Sequence, residues 1–270
     1  SDDQLSFIFT IRDDAYWHDG QPFTPEDVKF NFELALKCGV INGVYVSAFR
    51  AIEGAEAYIN GEAQGLSGIT IDNNVVTIKM ARPYGAFLNV VAQWVMLPKH
   101  LLENEDPVTL HTSDFWQWPI GTGPFKVSKV EWGNYAILER NDDYYGKMPK
   151  IERIKMISVS DEVVACQAGK IDYFNTNNEI AKLDDYTVFP VDTYFMRYFI
   201  MNLDSPDGAN EALSDVRVRR ALLHAIDRES IVEAMFPNGD LTDTFVPTGY
   251  PDYWKEAFHY DYNPELAKQL

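Results

Sequence analysis

Stretches with the periodicity of strands alternate with capped helices along this sequence, and that mixture restricts the fold more than any other feature. Residues 5–12 alternate apolar and polar side chains with the two-residue period of a β-strand. Residues 24–27, Thr-Pro-Glu-Asp, then predict a helix start, because Thr is a favoured N-cap and Pro suits the first helical position. The apolar residues that follow share one face of the predicted helix: Val28, Phe32, Ala35 and Leu36.

The same alternation continues to the end of the chain. Two β-hairpins and three further strands are predicted, at 69–80, 125–140, 151–159, 171–174 and 193–203. Helices are predicted at 45–59, 86–96, 161–168, 215–226 and 227–234, and again after Asn263. No repeat or low-complexity linker interrupts this order. The pattern therefore predicts an α/β or α+β fold in more than one lobe.

Length and charge exclude several classes of protein. The 270 residues are 46% hydrophobic, which suffices for one large domain or for two to three small ones. The formal net charge of −18 disfavours binding to nucleic acid or to an anionic membrane surface. No apolar run approaches the ~18 residues that a membrane helix needs, so a transmembrane function is excluded for this segment.

Neither the ends of the chain nor its cysteines identify the compartment in which it works. The chain begins in a strand and stops in the first turns of a helix, so we expect it to be a piece of something longer. A signal peptide or lipid anchor would then lie outside it. Cys38 and Cys166 lack metal-ligand spacing, and two buried free thiols are expected rather than a disulfide.

The residues with catalytic or metal-binding potential form no recognisable active site. His18 and Asp19 are adjacent in a turn, where side chains usually point apart, so a catalytic pair is disfavoured. Gly121-Thr-Gly123 lacks the third glycine of a dinucleotide loop and precedes a strand rather than a helix. The histidines are scattered, and the paired acids lie in polar loops. We therefore expect no enzyme, no cofactor and no metal site.

Aromatic residues offer the most informative candidate site. Tyr45 and Phe49 follow a loop that contains glycine, and Trp116 and Trp118 immediately precede a bend at 119–125 that contains two glycines and two prolines. We interpret the bend as a crossing between domains. Exposed aromatics beside a cleft are typical of adaptable ligand sites. Core packing is the alternative for each residue, and both readings stay open.

A set of motifs in fixed order carries a family resemblance. Residues 17–28 read Trp-His-Asp-Gly-Gln-Pro-Phe-Thr-Pro-Glu-Asp-Val, similar to the signature W-x-D-G-x-P-x-T-A-x-D-V. The other matching segments are 97–100, 119–125, 141–145, 168–172 and 215–228. Together they resemble the extracellular solute-binding proteins of family 5, the peptide- and nickel-binding proteins of ABC importers.

The resemblance implies a fold and a division into domains. The implied fold is that of type II periplasmic binding proteins, in the cluster of peptide-binding proteins, within a protein about twice as long. On that pattern residues 1–118 are the small middle domain, 119–203 are part of the first lobe, and 204–270 begin the third domain. The implied crossings between lobes lie at Gly121 and Gly123 and again at Asn202.

The resemblance also implies capture without chemistry. Two lobes would close around a di- or oligopeptide and deliver it to the membrane permease of an ABC importer. Ligand contacts are expected from Tyr45, Phe49 and Trp118, and Tyr45 best matches the aromatic that relatives place after the first helix. The protein is expected to be a monomer without a nucleic-acid partner. It is expected to work in the periplasm or outside the cell, where a lipid anchor could attach it to the membrane.

Other readings of the same fold stay open at this point. The ligand could be a nickel–chelator complex, an oligosaccharide or another small solute. Alternatively, the domain could be the ligand-sensing part of a regulator, which a DNA-binding or membrane segment outside this chain would indicate.

Overall fold

A computed structural model of the chain describes residues 5–175, 187, 189, 191, 196–203, 208, 210–236, 239–246, 250, 252 and 255–270. The chain divides into two compact units, Ser1–Ser158 and Val159–Leu270. The first contains two antiparallel sheets, whereas the described part of the second is helical.

The first sheet consists of β1 (Ser6–Thr10), β2 (Ile69–Asp72) and β3 (Val75–Lys79). β3 is central, and both neighbours run antiparallel to it. β2 and β3 form the predicted hairpin, in which Asn73 takes a left-handed conformation with a φ of 52°. Val76 and Ile78, two residues apart on one face of β3, are fully buried in the core.

Short helices surround the long helix α1 (Pro25–Lys37) in this unit. They are α2 (Gly43–Phe49), α3 (Ala55–Ile59), α4 (Phe87–Ala92) and α5 (Lys99–Leu102), followed by 3-10 turns at Leu110–Thr112 and Asp114–Gln117. The predicted helix at 45–59 is therefore two helices, since α2 ends at Phe49 and α3 begins after Gly54, its N-cap residue, which has a φ of 81°. Of the predicted helix at 86–96, only Phe87–Ala92, which form α4, are helical.

Helix α1 packs its predicted apolar face into the core. It contacts α2 and α3 as well as β2 and β3. All four residues expected on that face are buried: Val28, Phe32, Ala35 and Leu36. The helix begins where the sequence predicts, and the Asp27 carboxylate accepts hydrogen bonds from the backbone N–H and the hydroxyl of Thr24, each at 2.8 Å.

The second sheet lies in the same unit and consists of β4 (Phe125–Glu131), β5 (Tyr135–Arg140) and β6 (Arg153–Ile157). The strands pair in sequence order and all are antiparallel. The predicted hairpin at 125–140 is confirmed, with Gly133 in its turn at a φ of 75°. The register of β4 shifts between Val127 and Lys129, which marks a bulge.

The second unit contains the predicted capped helices. They are α6 (Glu162–Gln167), α8 (Val216–Ala225), α9 (Arg228–Met235) and α10 (Pro264–Gln269), and an additional short helix, α7 (Glu211–Ser214), was not predicted. Asp227 caps α9 by accepting from the N–H of Ser230, and Asn263 caps α10 by accepting from that of Leu266, both at 3.0 Å. Pro264 occupies the first turn of α10, as predicted.

Three expectations for this unit are corrected. The spacing of Val218, Leu222, Ala225 and Ile226 predicts an apolar face of α8 that points inward, but none of the four is buried and Leu222 is 37% exposed, because the described elements do not cover that face fully. Residues 171–174 form no strand, and neither do residues 196–203. The described part of this unit offers no partner strand to satisfy their backbone groups. The start of the predicted strand at 193–203 falls outside the described residues.

The predicted boundaries at 118 and 203 differ from the observed division at 158. The two sheets on either side of residue 118 belong to one compact unit, so the three-part division stays a prediction about the whole protein. In the described ranges, no helix is long and apolar enough to cross a membrane. Cys38 is a free, half-buried cysteine and Cys166 is buried, and burial raises the pKa of the Cys38 thiol.

Candidate ligand-binding site

Three aromatic side chains from α2 and from the segment after α4 form an aromatic cluster: Tyr45, Phe49 and Trp94. Tyr45 and Phe49 are one helical turn apart on α2, which Asn42 caps by accepting from the N–H of Val44 at 2.9 Å. The ring centroid of Trp94 lies 4.8 Å from that of Tyr45 and 5.2 Å from that of Phe49. These separations are typical of favourable aromatic contacts.

The members of the aromatic cluster differ in exposure. Tyr45 and Trp94 are half-buried, and the Tyr45 hydroxyl donates to the carbonyl of Gln93 at 3.4 Å. Phe49 is 0% exposed and packs edge-on against Phe32 of α1 at 4.7 Å. Any additional residues of a longer protein could only bury more of this unit, so Phe49 has no exposed face with which to contact a ligand. The ligand contact expected of Phe49 is therefore not retained, and its side chain supports the other two rings.

The surface beside the aromatic cluster is apolar and uncharged. Helices α2 and α4 contact each other, and neither sequence, GVYVSAF or FLNVVA, contains a charged residue. Several large apolar residues on or next to these helices are exposed: Val44, Leu88 and Val95. In a chain with a net charge of −18, such an uncharged stretch is distinctive. We call α2, α4 and residues 94–95 the apolar surface.

Trp94 was not singled out from the sequence. Its Nε1 atom is buried and makes no hydrogen bond within the described part of the chain. A buried N–H without an acceptor is destabilising, and a bound water or a ligand carbonyl is the kind of group that satisfies it. The signal that could have found Trp94 is its position in an apolar run just before Pro98.

Two buried polar side chains of α1 fix the backbone that follows Trp94. Asn31, which is 0% exposed, accepts from the N–H of Leu97 and donates to its carbonyl, both at 2.7 Å. Asp27, which is 4% exposed, accepts from the N–H of Lys99 at 3.1 Å. Such two-way amide bonds hold a segment in register as a strand partner does. The position of the apolar surface thus depends on α1.

Trp118, the third expected ligand contact, lies apart from the aromatic cluster. It follows the 3-10 turn Asp114–Gln117 and is 48% exposed. Among the described side chains it makes no ring contact with Tyr45 or Trp94. Its ligand contact stays a prediction, and so does the crossing at Asn202, which lies in an irregular segment of the second unit.

The turn at 17–20 is a scaffold, as the sequence favours, and the catalytic reading gains no support. Trp17 is 2% exposed, and Asp19 bonds to Nε2 of His100 at 2.7 Å rather than to its neighbour. Burial acts to raise the pKa of Asp19, but hydrogen bonds from His100 and Gln21 outweigh it and the pKa is lowered. His18 instead bonds to Gly121 and Gly123.

Gly121 and Gly123 lie in the residues 119–124 that lead into β4, which we call the connector. A Cβ added at Gly121 would lie 3.6 Å from Cε1 of His18, an ordinary contact, and one at Gly123 would meet no neighbour. Neither glycine has a positive φ. Their role as a crossing between lobes is therefore not imposed by local strain and stays a prediction.

The described residues include no group of three or more His, Cys, Asp or Glu side chains placed to hold a metal ion. The geometry of the apolar surface suits noncovalent contact with a ligand that has apolar parts. Mixed helices and antiparallel sheets with such a surface are compatible with a solute-binding protein.

Comparison with known proteins places the chain in that class. The family described as "Bacterial extracellular solute-binding proteins, family 5 Middle" matches residues 1–270. The chain belongs to this family. Its fold is part of the type II periplasmic-binding-protein fold, in agreement with the resemblance read from the motifs.

Two relatives are 30% identical to this chain over the aligned residues. One, from Brucella ovis, is provisionally named as an ABC transporter peptide-binding protein and aligns over 100% of this chain and 49% of its own length. The other is NikZ of Campylobacter jejuni in complex with Ni(L-His), with a TM-score of 0.75 over 100% of this chain and 51% of its own. Lactococcal OppA, whose structure contains an endogenous peptide, is 21% identical and shares the fold with a TM-score of 0.82. The alignment covers 100% of this chain and 55% of the OppA chain. The chain spans about half the length of the curated relatives it matches.

Proposed function

We propose that the whole protein is the substrate-binding component of an ABC importer and captures di- or oligopeptides between two lobes. The apolar surface carries the proposal, because it offers aromatic and aliphatic contacts without fixed charge. Tyr45 and Trp94 form one wall for the ligand. Loosely fitting apolar walls and water-filled pockets tolerate many side chains, which suits a peptide importer.

The same proposal covers partner and location. The closed, ligand-bound form would dock on a membrane permease of the importer, as a monomer and without chemistry on the ligand. The family is extracellular by description, so the protein works in the periplasm or outside the cell, with a lipid anchor as one means of attachment. A surface with a net charge of −18 makes nucleic acid an unfavourable partner.

A nickel complex is the second candidate ligand, favoured by the 30% identity to NikZ, whose structure contains Ni(L-His). The apolar surface argues for the peptide, since a charged metal complex gains from polar and charged partners that α2 and α4 lack. Oligosaccharide binding and a sensory role in a regulator have no specific observation in their favour.

Native mass spectrometry of the full-length protein as purified tests the proposal. A series of adducts with the masses of short peptides is the expected result, and it would also reveal the preferred lengths. A single adduct with the mass and isotope pattern of a nickel complex, or of a sugar, would contradict peptide capture and leave the family membership intact. An empty protein would be titrated with a peptide mixture and with Ni(L-His), and binding of the nickel complex alone would likewise contradict it.

A further inference from the structure

His18 makes three hydrogen bonds to the connector. Its backbone N–H donates to the carbonyl of Gly121 at 2.9 Å. The N–H of Gly121 donates in return to Nδ1 of the His18 ring at 3.2 Å, and Nε2 lies 3.0 Å from the carbonyl oxygen of Gly123. One side chain thus contacts both glycines of the bend over a sequence separation of more than one hundred residues.

Only one form of the imidazole satisfies both ring contacts. Nδ1 must accept from an N–H, so it carries no proton, and Nε2 must carry the proton that it donates to a carbonyl. The neutral Nε2–H tautomer meets both conditions. A protonated ring has a donor at Nδ1 that would face the N–H donor of Gly121, and that bond cannot form.

The connector is held from its other side as well. Asn141, which is 5% exposed and follows β5, donates from Nδ2 to the carbonyl of Gly123 at 3.2 Å. Its backbone N–H donates to the carbonyl of Pro124 at 2.9 Å. The carbonyl of Gly123 therefore accepts from His18 and Asn141 together, and the connector is anchored between the turn at 17–20 and the second sheet.

We propose that neutral His18 is a positioning residue that locks the connector onto the turn at 17–20, and that protonation of its ring, which removes the bond from the N–H of Gly121, loosens the connector. The device needs no ligand and does not depend on which solute the protein binds. It makes the attachment of the connector to the turn at 17–20 sensitive to mild acid.

The groups that face His18 favour the neutral ring on balance. Burial lowers its pKa and the positive charge of Lys126, on β4, lowers it further, while the bond to Gly123 and the charge of Asp19 oppose these effects. Asp19 is itself paired with His100 of α5. Since the pKa in the folded protein is below its ordinary value, the lock is at full strength above about pH 6.5 and is lost as the pH falls through the folded-state pKa.

Selective 15N-histidine NMR of the full-length, ligand-free protein tests the first half of the proposal without any variant. The His18 ring, assigned by its absence in His18→Asn, is expected to show the Nε2–H tautomer at neutral pH. A ring that carries its proton on Nδ1, or that is already protonated at neutral pH, would overturn the proposal.

Hydrogen exchange of the same protein between about pH 5 and 7.5 tests the second half. Protection factors of a fragment covering the connector are expected to fall by up to about tenfold per pH unit as His18 protonates, while those of β3 hold. Constant protection of the connector, or an equal loss in β3, would contradict a local lock. His18→Asn, which keeps an acceptor but cannot protonate, should remove the pH dependence.

His100→Gln is the matched control. It breaks the pair with Asp19 but leaves His18 and its three bonds in place. The acid-induced loss of connector protection is expected to persist in this variant. If it disappeared there, or persisted in His18→Asn, the titration would belong to the pair of His100 and Asp19, and the assignment to His18 would be wrong.

Discussion

At the scale of single residues, side chains that are equivalent in the sequence pattern differ in burial. Tyr45 and Phe49 belong to the same short helix and are equally plausible ligand contacts by composition. Only Tyr45 retains an accessible face, because Phe49 lies between Phe32 and Trp94. Trp94 joins Tyr45 from a position 49 residues further along the chain.

Tyr45→Ala is expected to weaken ligand binding by the full-length protein by about 1–3 kcal/mol, as for an aromatic contact at the centre of a binding surface. Isothermal titration calorimetry with the ligand identified by mass spectrometry measures the change. Trp132→Ala removes an aromatic that is 69% exposed in the turn of the second sheet and serves as the control. Equal affinities for Tyr45→Ala and the wild type would remove Tyr45 from the site.

At the scale of elements, buried polar groups join α1 to segments distant in sequence. Asn31 and Leu97 are 66 residues apart and exchange two short hydrogen bonds. Asn in the middle of a helix is a weak helix former, so the sequence gives no reason for its presence there. The reason is tertiary, because its amide completes the backbone hydrogen bonds of a residue that belongs to no strand.

Asn31→Ala is expected to lower the free energy of unfolding by about 2–4 kcal/mol, because the N–H and the carbonyl of Leu97 both lose their buried partner. Urea denaturation followed by circular dichroism gives the value. Asn89→Ala, the same change at an exposed position of α4, should alter the stability by less than about 0.5 kcal/mol. Comparable losses in the two variants would show that the bonds to Leu97 contribute little.

Gly54, the N-cap residue of α3, is a second position at which a tertiary contact restricts the residue type. Its φ of 81° disfavours any side chain, and a Cβ there would collide with Oγ of Ser67. Gly54→Ala should therefore destabilise the protein by more than about 1 kcal/mol. Gly85→Ala, where an added Cβ meets no neighbour and φ is not positive, is the control, and thermal melting of both variants distinguishes the sites. A stable Gly54→Ala protein would mean that this turn can rearrange.

At the scale of the whole molecule, the chain spans about half the length of the relatives it matches. The family match nevertheless covers the complete chain. If the proposed function holds, the ligand is enclosed by surfaces from two lobes, and a wall with Tyr45 and Trp94 would supply only part of the contact area.

The 270-residue chain alone is therefore expected to bind the ligand at least about tenfold more weakly than the full-length protein. Fluorescence titration of both proteins measures the ratio, and a cooperative thermal transition of the shorter chain establishes that it is folded. Equal affinities would place the whole site within these residues.

Local sequence determined the position and type of many elements in both units. Helix α1 with its start at Pro25, the hairpins around Asn73 and Gly133, and the caps at Asp227 and Asn263 all depend on neighbours within a few residues. Such contacts are encoded by spacing and turn chemistry, and they are readable without a fold. The ordered motifs between residues 9 and 228 identified the family for the same reason.

Tertiary structure alone decided which of these residues meet. The bonds from His18 to Gly121 and Gly123, from Asn31 to Leu97, and the contact of Tyr45 with Trp94 join positions 48 or more residues apart. No periodicity links such positions, since the energy of each contact is gained only when the chain between them has folded. Whether an aromatic such as Phe49 lies in the core or at a surface is likewise set by what packs on it, not by its neighbours in the sequence.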